Sequence, residues 1–386
     1  MGAQLPLIFV ICGLAGQQLA PNICLATMPI SMIVFGSMTT APWLSNFMQR
    51  FGRKPGLFIG AMGGAIGAAI CAYAMFLQDF WVLLAGSYLT GIYMSAQGFF
   101  RFAAMDMADA NYKPRAVSFV LAGGLLSAVL GPQLGKLSFD WSVFPFVGSY
   151  IAAIGLNLFG AISLFFLRIS KAPIHDTSSK AGGRSRGALL RDPVILTSMV
   201  CAMVAYALMN LVMTSTPLAV VGCGYTQNNA GDVVMAHVLA MFAPSFVTGY
   251  LINRFGVKTI ISVGLGFLAL AGIAAVSGVT LTHFFASLIL LGLGWNFAFI
   301  GATAMLSTAH SDAEKGRVQG MNDFFVFGMV TIASLASGGL MNCSGGDPVM
   351  GWISVNVAMV PFLFLAGAVL IWLTKKPREA TEEGMS

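Results

Sequence analysis

The sequence predicts an all-α membrane protein of twelve spanning helices, arranged as two six-helix bundles with pseudo-two-fold symmetry. Three observations predict it. Of 386 residues, 57% are hydrophobic and only 9% are charged. The cations fall on one side of the predicted membrane. A basic loop pattern recurs, beginning at Arg50 and again at Arg254.

A soluble domain of this length cannot cover so much apolar surface, whereas a bilayer supplies an apolar solvent. The 45 glycines suit that solvent, because small residues let helices approach closely in lipid. Runs of about 20 apolar residues are needed to cross the hydrocarbon core. Such runs lie near 3–21, 25–48, 56–77, 81–105, 116–137, 143–168, 194–219, 233–253, 259–279, 283–307, 319–342 and 350–373. The chain enters its first run at Met1, with no charge before Arg50. This predicts that residues preceding Met1 complete the first helix, the other reading being a short first helix.

With the N-terminus placed in the cytoplasm, all of the 20 Lys and Arg residues except Lys136 lie at inner loops or inner helix ends. Cytoplasmic loops of membrane proteins carry this excess of cations. One missed span would scatter the later charges to both sides, so the pattern supports an even count. It predicts a multi-pass protein with both termini cytoplasmic. The net charge of +6 therefore reports orientation, and no nucleic-acid partner is expected.

The longest polar stretch, 169–193, is rich in Ser, Gly, Lys and Arg and reads as a cytoplasmic linker. It divides the chain into a six-helix bundle over 1–168 and another over 194–374, with a cytoplasmic tail over 375–386. The halves echo each other. Residues 50–54 read RFGRK and 254–258 read RFGVK; Lys113 and Arg115 are echoed by Lys315 and Arg317. Parallel repeats of this kind are one known transporter architecture.

The stretch SNFMQRFGRKPG (45–56) resembles the loop motif of the major facilitator superfamily, roughly G-x-L-A-D-R-x-G-R-R/K. Arg50, Gly52, Arg53 and Lys54 match, while Ser45 and Gln49 replace its Gly and Asp. The second copy, GYLINRFGVK (249–258), keeps Gly249, Leu251, Arg254, Gly256 and Lys258, with Asn253 in place of the Asp. The resemblance implies a latch at the inner helix ends, in which cations meet helix C-terminal carbonyls and acids. With the motif acids absent, Asp106 and Asp323 are the candidate partners. In the fifth span, Ser127, Gly131, Pro132 and Gly135 are similar to the G-x-x-x-G-P-x-x-G signature of drug antiporters; a proline kink among small packing residues is the simpler reading. The overall texture also resembles a proteobacterial group that includes proposed flavin importers. The resemblance implies a monomeric carrier in the bacterial inner membrane that moves a small organic solute by alternating access.

Such carriers bind solute near the midplane between the halves, so polar residues inside spans are the candidates. Tyr206, Asn210 and Thr214 share one face of the seventh span, and Tyr93, Gln97 and Arg101 one face of the fourth. Trp295 beside Asn296 suits a flat, partly polar molecule. Each has a plainer reading: Arg101 pairs with Asp106, the Asn residues join helices, and Trp295 packs. Gln4 and Asn157 are weaker candidates, and His237 reads as structural. No Asp or Glu sits at mid-membrane, which leaves a proton-coupled carrier and a uniporter both open.

Of six cysteines, Cys12, Cys71 and Cys201 fall in apolar runs; Cys24, Cys223 and Cys343 lie near outer loops. A Cys223–Cys343 disulfide and free thiols are the two readings. No metal-ligand spacing or cofactor motif occurs. His175, His237, His283 and His310 are scattered and there is no P-loop, which argues against a membrane enzyme and an ATP-driven pump. The rival functions are a drug or metabolite exporter of the same fold and a non-transporting sensor.

Overall fold

The computed structural model describes residues 2–100, 113–166, 183–311, 314–343 and 347–375. Among the described residues, a helix or a pair of helices overlaps each of the twelve expected spans. In the first half these are α1 (Gln4–Leu19), α2 (Met28–Phe51), α3 (Arg53–Leu77), α4 (Phe80–Gly98), α5 (Lys113–Ser138) and α6 (Val147–Phe166). A short helix α7 (Arg186–Arg191) leads into the second half. There α8 (Pro193–Gly222), α9 (Gln227–Phe242) with α10 (Ser245–Phe255), α11 (Val257–Val276), α12 (Leu281–Ser307) and α13 (Lys315–Asn342) follow in order. The final span is α14 (Pro348–Val357) with α15 (Met359–Lys375). Among the described residues, eight helices or joined helices are long and apolar enough to cross a membrane, and the α9–α10 pair, bent by 42°, makes a ninth.

Local chemistry sets the helix ends. Asp79, Asp192 and Asp347 cap α4, α8 and α14 by accepting hydrogen bonds from first-turn N–H groups. Between α2 and α3, and again between α10 and α11, the chain turns at a single residue: Gly52 at φ 95° and Gly256 at φ 84°. A side chain at either would carry left-handed strain, which explains why the repeated loop pattern holds glycine there.

The packing repeats with the sequence. The pairs α3·α4, α2·α4, α1·α5 and α3·α6 of the first half have counterparts in α11·α12, α9·α12, α8·α13 and α11 against α14 and α15. Between the halves, α2 packs on α13 and, by the same symmetry, α9 packs on α5, while α1 meets α8 on the axis. Close approach needs small residues: a Cβ on Gly36 of α2 would lie 2.2 Å from the Tyr88 carbonyl of α4. Proline treats the halves differently. Pro42 sits inside a continuous α2, whereas the corresponding span breaks at Ala243 and Pro244.

The linker reading changes at its end. Residues 183–192 are anchored to the second half, because Arg184 is a hub. Its Nε and Nη2 donate to the two Glu314 carboxylate oxygens (2.9 and 3.0 Å), its Nη1 to Asp192 Oδ2 (2.7 Å), and its Nη2 also to the Ala309 carbonyl. The Arg184 side chain is hydrogen-bonded to Glu314 and then to Asp192, which pushes its guanidinium above its usual range. In turn the Arg184 guanidinium, then the backbone N–H groups of Arg184 and Ser311, hold the Glu314 carboxyl well below the usual carboxylate range. A depressed carboxyl contributes stability above its unfolded pKa of about 4.3, and that stability is lost as pH falls through the lower folded value. In detergent, the Tm advantage of the wild type over Arg184→Gln should be constant from pH 7 to about 5 and shrink below about 4.3. A Tm difference that stays flat down to pH 3 would refute this linkage.

Candidate functional site

The seventh and tenth spans meet in an aromatic cluster. Trp295 and Phe299, one turn apart on α12, lie nearly parallel with ring centroids 5.1 Å apart and an interplanar angle of 14°. Tyr206 of α8 stacks on Phe299 at 5.2 Å and 29°, and its edge meets Phe327 of α13 at 5.9 Å. Phe242, the last residue of α9, closes the group edge-on to Trp295 at 6.3 Å. Its ring also lies over Gly124 of α5, so the cluster reaches the other half. Trp295 is 8% exposed, and its indole Nε1 has no hydrogen-bond partner. A buried donor without an acceptor costs about 1–3 kcal/mol.

Asn296 goes elsewhere. Its Oδ1 accepts from Thr248 Oγ1 (2.7 Å), and its Nδ2 donates to the Met241 carbonyl (2.6 Å) and Ser245 Oγ (2.7 Å). The amide braces the α9–α10 break, where backbone groups lose their helical partners, and has little capacity left for a solute. Asn210 is buried and its Oδ1 accepts from Thr214 Oγ1 at 3.4 Å. The Thr214 carbonyl faces Gly13 of α1, which places this pair at the α1·α8 seam. Tyr93 is buried inside the first half beside Gly64 and Asn157, while Gln97 is half-buried near Gly2 and Ser127. Arg101 and Asp106 lie outside the described residues. Sequence reading missed Phe242, Phe299 and Phe327. Phe299 carried a signal, since it shares a face with Trp295, but 30 phenylalanines hide it.

At the cation-rich end, Lys54 Nζ donates to the Phe165 carbonyl at the close of α6 (3.1 Å) and stands 5.8 Å from the Phe165 ring centroid. Arg53 lies over Phe99 at 6.0 Å. In the second copy, Arg254 donates to Tyr250 Oη (3.3 Å) and lies over Phe255, while Lys258, Gly249 and Arg50 are exposed. Asp323 Oδ1 accepts from Asn322 Nδ2 at 3.2 Å. In α5, Gly131 and Gly135 give room for Ala3 and Leu7 of α1, and Pro132 sits inside the unbroken helix.

The opposite end is tied across the halves at both symmetry-related seams. On the α2·α13 side, Thr27 Oγ1 donates to the Ser334 carbonyl (3.3 Å) and Ser31 Oγ to Ser334 Oγ (2.8 Å). Beyond them a disulfide joins Cys24 to Cys343, with Cα atoms 5.4 Å apart. This corrects both sequence readings: Cys343 pairs with Cys24, and Cys223 is a free thiol. Chain folding brings the 23–25 loop over the end of α13, which loop position alone could not show. On the α5·α9 side, Lys136 Nζ meets Asp232 Oδ1 at 2.5 Å.

The Major Facilitator Superfamily model matches residues 4–242 and 199–385, together nearly the whole chain. The chain belongs to the Major Facilitator Superfamily. The riboflavin transporter RfnT of Brucella anthropi is 40% identical, across 98% of this chain and 94% of its own. The MFS-type transporter YddS of Bacillus subtilis, itself uncharacterized, is 27% identical over 98% of this chain and 89% of its own. The class B tetracycline resistance protein of Escherichia coli is 23% identical over 80% and 76%. The crystal structure of the nucleoside transporter NupG shares the fold, with a TM-score of 0.68 at 13% identity over 97% of this chain and 99% of that one. The protein is thus a multi-pass membrane transporter of a small solute.

For a superfamily member, the strength of the end ties matters. The Lys136 and Asp232 side chains are 23% and 34% exposed, and such a pair contributes about 0.2–1 kcal/mol. Asp232→Asn should therefore change the uptake rate by less than about fivefold. The swap Lys136→Asp with Asp232→Lys should return it toward wild type. A hundredfold loss that the swap leaves unrepaired would mean that Asp232 does more than tie the ends.

Proposed function

We propose that the protein imports a flat, amphipathic solute of the flavin type, with riboflavin, the solute named for the 40%-identical relative, as the first candidate. The observation that carries this reading is the Trp295–Phe299–Tyr206 stack with its unpartnered indole N–H. A fused aromatic ring system stacks on such a shelf, and a ring carbonyl accepts from Trp295 Nε1. Arg101, Gln97 and Tyr93 remain our candidates for the first half's share of the site, with Asn210 and Thr214 at the seam. Arg50, Gly52, Arg53 and Lys54, with Gly249, Arg254, Gly256, Lys258, Asp106 and Asp323, remain candidates for the latch.

The cation-rich loops orient that end toward the cytoplasm of the inner membrane. The cross-half ties at the other end then correspond to an inward-facing carrier, closed outside. We read the protein as a monomeric carrier, not an enzyme, made of bundles over 1–168 and 194–374.

Expression in a riboflavin-requiring bacterium without an importer of its own tests the reading. Growth at low external riboflavin, with uptake of labelled riboflavin, is expected. Insertion at normal levels without uptake would overturn the flavin assignment. Uptake measured with and without a proton gradient decides between a proton-coupled carrier and a uniporter. The second reading, efflux, draws on the helix signature at Ser127–Gly135 and the likeness to the tetracycline resistance protein. Lowered drug accumulation in expressing cells would favour it.

A further inference from the structure

The disulfide lies where an alternating-access carrier has to part. It joins the loop between α1 and α2 to Cys343, the residue that caps the end of α13, 319 residues away and in the other half. Its Cα atoms are 5.4 Å apart, and a disulfide holds them within about 6.8 Å. That seam can widen by little more than 1 Å while the bond is intact. A flat ring entering between two surfaces needs about 7 Å, which is two carbon contact distances of roughly 3.5 Å. The neighbouring ties, Thr27 and Ser31 on Ser334, are ordinary hydrogen bonds that can break and re-form in each cycle. The covalent bond cannot.

We propose that Cys24–Cys343 is a thiol–disulfide exchange site that gates the carrier, locked closed at this end when oxidised and free to open when reduced. This rests on the alternating-access reading of the preceding section. Exposure fits the chemistry. Cys343 is exposed and Cys24 half-buried, whereas the free cysteines Cys12, Cys71 and Cys201 are buried. The reductant is a small or protein dithiol. One of its thiolates attacks Cys343 Sγ, forming a mixed disulfide and releasing Cys24 as a thiolate that takes up a proton. The second thiol of the reagent then attacks its own bound sulfur, closes an intramolecular disulfide and frees Cys343. Two electrons pass from the dithiol to the cystine.

The test uses the purified full chain, oxidised or treated with dithiothreitol, alongside Cys24→Ser/Cys343→Ser and the control Cys223→Ser. Hydrogen exchange of residues 22–31 and 334–343 should be at least fivefold faster after reduction and in the double variant without reductant. Cys223→Ser should behave as wild type. In proteoliposomes, uptake of labelled riboflavin should be at least fivefold slower for the oxidised wild type than for the reduced protein or the double variant. Exchange that is the same in the oxidised and reduced proteins would overturn the gate. Exchange that responds while no form takes up the solute would uphold the gate and refute the import reading.

Discussion

Trp295→Ala is expected to raise the KM for the flat solute by roughly 5- to 150-fold while leaving the amount of inserted protein unchanged. The range follows from two losses. An aromatic pair contributes about 0.5–1.5 kcal/mol beyond buried area, and a hydrogen bond about 0.5–1.5 kcal/mol, so the sum is about 1–3 kcal/mol. Trp295→Phe keeps a ring on Phe299 and loses only the N–H, so it should recover about half of the free energy. Asn296→Ala separates site from scaffold. It removes three hydrogen bonds that hold the α9–α10 break and should lower the Tm with little effect on the affinity of what folds. If the Trp295→Ala protein transports with an ordinary KM, the aromatic shelf is packing and the solute binds elsewhere.

With Cys24 and Cys343 reduced, Gly338→Ala is expected to loosen the closed end. A Cβ there would lie 2.1 Å from Thr27 Oγ1 and 3.0 Å from the Cys24 carbonyl, so α13 has to move off the 23–27 loop. Overpacking of this kind costs about 1–3 kcal/mol, which shifts the balance between closed and open ends by roughly 5- to 150-fold. Hydrogen exchange over residues 27–31 reports the change. Thr27→Ala removes the clashing oxygen and leaves the Thr27 Cβ 3.3 Å away, but it also loses the Thr27–Ser334 hydrogen bond, so the double variant should regain part of the protection. Protection in Gly338→Ala equal to wild type would show that the contact does not hold the end closed.

The helices were legible because hydropathy and cation placement are properties of contiguous residues. The halves were legible because the loop pattern at Gly52 and Gly256 is imposed by a local backbone turn. Properties set by long-range packing were not. Asn296 and Trp295 are adjacent, yet one points to the α9–α10 break and the other to the rings, and only the neighbours of α12 decide which. The Cys24–Cys343 pair depends on how the 23–25 loop lies over α13, so loop position alone left a Cys223–Cys343 pair and free thiols as the readings. Arg184 read as one more linker cation, since nothing in a Ser/Gly-rich stretch announces the buried Glu314 that receives it.

The break between α9 and α10 makes the two halves mechanically unequal. Pro42 lies eight residues before Arg50 in α2, and Pro244 ten residues before Arg254 in the corresponding span. Yet α2 runs through its proline as a single rod, while its counterpart is jointed. One residue before the joint stands Phe242, the lid of the aromatic cluster. A molecule pressing on that ring therefore pushes on the elbow of the second half. The first motion that follows loading is then expected to be a flexing of that elbow, with the first half serving as the fixed frame.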